Sequence, residues 1–114
     1  MTDLEKALDH ITKEIQKYRQ CDIMDGETLV NILQQITATL FYLEKERSQY
    51  HSQFQATINR LVLEGNSVAR AENEAHTKVP EMYLLRHIMS SAYEIVGAIR
   101  TNISWLKVER NAIQ

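Results

Sequence analysis

Arginine, tyrosine, arginine and lysine stand seven residues apart at Arg86, Tyr93, Arg100 and Lys107. On a helix, steps of seven keep side chains on one face. The row would present two guanidiniums on either side of a phenol, with an ammonium beyond them. Guanidinium forks grip phosphates and an aromatic ring between them stacks a base, which is the chemistry of single-stranded nucleic-acid binding. Arg60 and Arg70 are further candidate contacts. The competing reading is a polar helix flank, in which arginine stems lie over apolar neighbours and the tyrosine sits at an interface. The charge bias is mild: residues 80–114 carry four Arg or Lys against three Glu, and residues 1–26 carry four against six acids.

Other chemistries find few residues to carry them. His10, His51, His76 and His87 show neither the His-x-x-x-His nor the Glu-x-x-His spacing of helical zinc and di-iron sites. Glu72 and His76 are four apart, but two ligands do not close a metal site. Cys21 stands beside Asp22, whose charge raises a thiol pKa and works against nucleophilic use. There is no Gly-rich phosphate loop and no nucleophile elbow. These absences predict a chain that is not an enzyme and needs no metal or cofactor.

The elements that would position the cationic row are helical. Three Gly and one Pro in 114 residues leave little turn chemistry, while Leu, Ile, Ala, Glu, Gln and Lys recur at helical spacing, so an all-α fold in a single domain, 1–114, is expected. Helix 1 is predicted over Thr2–Gln20 with an apolar stripe of Leu4, Leu8, Ile11, Ile15 and Tyr18. Asp22 or Asp25 caps the next helix, Glu27–Glu64, which Gly65 terminates. A short helix, Ser67–Lys78, follows. Pro80 then opens a last helix to about Asn111, with a stripe of Leu85, Ile88, Ala92, Ile95, Ile99 and Leu106. Ser90, Ser91, Ala92, Gly97 and Ala98 would let a neighbouring helix approach closely.

The long second helix carries a heptad seam at Leu29, Leu33, Ile36, Leu40, Leu43, Arg47, Tyr50, Phe54 and Leu61. Helix 1 reaches only its first half, so the distal half is expected to need cover from a second copy. The predicted architecture is an elongated antiparallel helical hairpin or bundle with a short N-terminal helix and oligomeric, coiled-coil-like packing. Its interface residues would be Leu33, Ile36, Leu40, Leu43, Arg47, Tyr50, Phe54, Leu61, Ile88, Ile95, Ile99 and Leu106. Arg47 is either a register device inside the bundle, neutralised by Glu44, Glu46 or another helix, or an exposed residue where the seam has opened. Tyr42, Tyr50, His51 and Phe54, with Gln49, Gln53 and Gln55, suit a protein interface as readily as a nucleotide contact. No apolar run approaches the roughly 18 residues of a membrane span. The charged start MTDLEKAL has no signal-peptide core and the lone cysteine cannot form an intrachain disulfide, so a cytoplasmic location is expected.

Three stretches carry a resemblance. They are Tyr50 through Glu64 with the continuation EGNSVARAE (Glu64–Glu72), LLRHIMSSAY (Leu84–Tyr93) and IRTNISWLK (Ile99–Lys107). With them the chain resembles small all-helical proteins encoded by bacteriophages and prophages. Its layout is similar to that of the phage recombination mediator family, which loads a recombinase onto single-stranded DNA and assembles as a ring-like oligomer. The resemblance implies a homo-oligomeric accessory protein of the bacterial host cytoplasm that binds single-stranded DNA or DNA-processing proteins through Arg86, Tyr93, Arg100 and Lys107. It departs from that family in charge, since the net value here is −2. Phage proteins of this size also include anti-defence inhibitors that bind a host immune protein or sequester a signalling nucleotide, and this is the alternative.

Overall fold

The computed structural model describes residues 1–113 and the side chains of residues 1–110. Four helices follow one another: α1 (Asp3–Gln20), α2 (Gly26–Leu63), α3 (Val68–Lys78) and α4 (Glu81–Ile113), with no strand among the described residues. Their ends are set by the expected local chemistry. Thr2 Oγ1 accepts the Glu5 amide at 3.1 Å and starts α1. Asp25, and not Asp22, caps α2: its carboxylate accepts the Thr28 hydroxyl at 2.6 Å and the Thr28 amide at 3.1 Å, and these two bonds hold it below the usual aspartate range. Asp22 instead accepts the Met24 amide at 2.9 Å and shapes the turn. Gly65, at φ +99°, ends α2 while the Asn66 amide reaches back to the Leu61 carbonyl at 3.1 Å, a left-handed termination that glycine adopts without strain. Ser67 Oγ accepts the Arg70 amide at 3.2 Å and opens α3.

With 38 residues, α2 is about 57 Å long at 1.5 Å per residue, and it is the spine of a molecule measuring 69 × 30 × 20 Å. α1 runs antiparallel to its first half, where His10 Nε2 meets Gln35 Oε1 at 3.1 Å. α4 runs antiparallel along most of α2. Tyr18 on α1 donates to Asn102 Oδ1 on α4 at 2.7 Å, which ties these two helices together at one end. α3 folds back on the last third of α2, with Phe54 and His76 ring centroids 4.8 Å apart.

This arrangement corrects the expected use of the heptad seam. Ile36, Leu43 and Ile99 are at 0 % exposure within the single chain, and Leu40 and Leu61 are also buried. Leu33, Tyr50, Ile88, Ile95 and Leu106 are half-buried against the same core, and Phe54 is half-buried beside His76. The proposed interface residues are therefore occupied inside one protomer. The reason is α3: Ala71 and Ala75, both fully buried, carry so little side chain that the short helix covers one side of the distal part of α2, while Val62 and Leu63 stay exposed along a groove of about 610 Å³ beside it. Arg47 is the exception, 45 % exposed with its guanidinium on Glu44 Oε2 at 3.3 Å. It marks the stretch of α2 past the start of α1 and short of the end of α3, so the seam opens there, and Arg47 is not an interior register device.

α4 also presents a broader apolar face than its expected stripe. Met82, Leu85, Met89, Ala92, Val96 and Ile99 are its buried residues, spaced by three and four, while Ile88 and Ile95 sit on the flank. A helix that packs against α2 along its length and against α1 near its end needs more than one narrow seam. Ala92 is fully buried and fits the expected close approach. Gly97 does not, because a Cβ built there meets nothing within 4 Å. Gly97→Ala should thus stabilise the fold by about 0.5–1 kcal/mol through helix propensity, read as a rise in melting temperature, and a fall would show a neighbour at that position.

Candidate binding surface

Arg86, Tyr93, Arg100 and Lys107 are all exposed on α4, successive members rising about 10.5 Å along the helix. Among the described residues, Arg86, Arg100 and Lys107 form no ion pair. Their surroundings differ. Tyr93 and Arg100 border a groove of about 240 Å³ between α2 and α4, with Leu40, Phe41, Glu44 and Val96 as its other main walls. Arg86 belongs to a separate hollow near the α3 end, described below. Lys107 lies a further turn and more towards the base of the molecule. Arg60 and Arg70 do not join the row. Arg60 is six residues beyond Phe54, which already faces Met82 at the start of α4, and Arg70 on α3 is paired with Glu74 at 3.6 Å.

The groove is built from the phase of α2. Leu40 and Leu43 turn inward, so the intervening Phe41 points outward and is 85 % exposed. Its apolar ring stands beside Tyr93, whose hydroxyl donates to Glu44 Oε1 at 2.7 Å. Glu44 in turn accepts Arg47 Nη2 and Nε at 3.3 and 3.4 Å. The bond to Glu44, then burial and the carboxylate's charge, push the Tyr93 pKa up, and Arg47 offsets part of this. The phenol therefore stays protonated, held in one orientation as part of an Arg47–Glu44–Tyr93 chain. A carboxylate consequently occupies the middle of the expected phosphate-gripping row.

Two features escaped the sequence reading. Phe41 follows a seam leucine, and the signal that could have found it is an aromatic out of phase with the heptad. At the base of the molecule, Ile23 and Met24 of the α1–α2 turn meet Asn102, Trp105, Leu106 and Glu109 around a second hollow of about 180 Å³. Ile23, Met24 and Trp105 are each more than half exposed.

Cys21 is held away from reactivity. Its thiol donates to the Tyr18 carbonyl at 3.2 Å, and burial, with the charges of Asp25 and Asp22, pushes its pKa up. Among the described residues no three His, Cys, Asp or Glu side chains gather where they could hold a metal ion, and no helix is long and apolar enough to cross a membrane. No protein family, curated protein or solved structure matches this chain.

Proposed function

We propose that this chain is a non-catalytic binding protein whose α2/α4 groove docks onto a protein partner. The observation that carries this reading is Phe41, an aromatic ring left in solvent on the groove that Tyr93 and Arg100 also line. Exposed aromatic and arginine side chains grouped on a rigid scaffold are the composition of interaction hot spots. The partner surface that fits is an apolar pocket for Phe41 with a carboxylate on its rim for Arg100. An accessory protein that binds DNA-processing proteins, and equally an inhibitor of a host immune protein, would be served by such a surface. Packing of the α2 seam within one chain leaves that seam unavailable for joining copies.

A second reading, single-stranded DNA along α4, is supported by the unpaired Arg86, Arg100 and Lys107 and opposed by Glu44. One pair of measurements separates the two. The immobilised protein is presented with bacterial host lysate, alongside its Phe41→Ala and Arg100→Ala variants, and a labelled oligothymidylate is titrated at two salt concentrations. The protein-partner reading expects a retained protein that Phe41→Ala weakens by about tenfold or more, with no tight oligonucleotide binding. Micromolar oligonucleotide binding that Phe41→Ala leaves intact, with a salt slope reduced by about one for each of Arg86, Arg100 and Lys107 replaced, would replace that reading with the nucleic-acid one.

A further inference from the structure

Three of the four histidines gather near the α3 end of the molecule. His51 and Gln55 on α2, His76 on α3, and Tyr83 and Arg86 on α4 enclose a hollow of about 100 Å³ floored by Met82. His87 is parallel to Tyr83, with ring centroids 6.2 Å apart. These residues are up to 36 positions apart in the chain, and the return of α3 and α4 onto α2 brings them to one place. No carboxylate lines the hollow. Two acidic groups on the surrounding helices lie outside the lining: Glu72, one turn before His76 on α3, borders the neighbouring groove around Ile58 and Val62, and the charge of Glu81 acts on Tyr50. The hollow thus combines a permanent cation, two imidazoles and an amide with no built-in anion to neutralise them.

We propose that the hollow between His51, His76 and Arg86 binds a phosphoryl group. Arg86 supplies forked donors to two of its oxygens, and the imidazoles approach from the other two helices, so three donors converge on a tetrahedral anion from three sides. Each imidazole carries at least one ring N–H donor, and the Phe54 ring packs against His76 with centroids 4.8 Å apart. The volume is about three times the ~30 Å³ share of one water molecule. That admits an oxyanion and leaves whatever the phosphoryl group is attached to outside, beside Tyr83, which is 70 % exposed. A phosphomonoester with an aromatic substituent would therefore gain a stacking contact that inorganic phosphate lacks. The site is separate from the Phe41 groove, and its test does not depend on that surface.

The test follows the histidine ring signals by NMR while inorganic phosphate, and in a second arm phenyl phosphate, is added at constant ionic strength. Near pH 6 both ligands should shift His51 and His76 saturably and leave His10, at the far end on α1, unmoved. Phenyl phosphate should bind more tightly than inorganic phosphate if the natural ligand is a phosphomonoester, and equally if it is free phosphate. Arg86→Ala, a change at an exposed position whose folding circular dichroism verifies, should weaken both ligands at least about tenfold, whereas Arg100→Ala, about 21 Å along α4, should not. Unmoved His51 and His76 signals, an equal response at His10, or undiminished binding by Arg86→Ala would overturn the proposal.

Discussion

Leu43→Asp will leave the isolated chain unfolded at room temperature. Leu43 is at 0 % exposure in a core shared by α1, α2 and α4. Shortening such a leucine to alanine alone costs about 2–5 kcal/mol, and a carboxylate in its place adds the penalty of an unpaired charge in an apolar site. Domains of this size are stable by only about 5–15 kcal/mol, so the sum exhausts the margin. The experiment also decides where the seam is used. If the leucines of α2 close the core of one chain, the wild type sediments as a 13.3 kDa monomer and the variant loses its helical circular dichroism. If the seam joins copies, the wild type sediments as an oligomer and the variant as a separated but still helical chain. The second result would overturn the packing described above.

Glu14→Leu will raise the melting temperature. Glu14 is 2 % exposed, set between Ile11 and Ile15 on the packed face of α1. Oε1 accepts the Lys17 ammonium at 2.8 Å, but that lysine remains 63 % exposed, and Oε2 has no partner. A buried carboxylate with one oxygen unmatched retains most of its desolvation cost and gains little from a solvated lysine. Leucine is of similar length and continues the stripe of Leu4, Leu8, Ile11 and Ile15. The expected gain is about 1–3 kcal/mol, which in a domain of this size is a shift of several degrees. Glu14→Ala separates the two contributions, because it removes the charge but leaves a cavity, and should fall below Glu14→Leu. A leucine variant less stable than wild type would mean that the carboxylate is matched by a donor and belongs to a polar network.

Residue 14 also shows how much could be read in advance. Its position on the buried face follows from spacing, since 11, 14, 15 and 18 are neighbours on a helix. A charge at that position normally argues for solvent, so spacing alone does not mark Glu14 as buried. The α4 stripe erred: Met82, Met89 and Val96 were legible as apolar, but a single narrow seam was imposed on a helix that has two neighbours. The cationic row was legible as a row, because heptad spacing survives any packing. That Tyr93 is tied to Glu44, 49 residues away in the chain, was not, and it is this contact that changes what the row is suited to bind.

Helix number, boundaries and caps were determined locally. Asp25, Gly65, Ser67 and Pro80 act on backbone groups within a few residues of themselves, so their effect is written in consecutive letters. Which apolar face meets which was decided only by the tertiary structure. A heptad seam states that a helix must be covered, and sister copies or other helices of the same chain satisfy it equally well. The outcome turned on Ala71 and Ala75, small enough for α3 to lie on the distal part of α2. That same return brings His76 to His51 and Arg86, a grouping that no spacing along the chain contains.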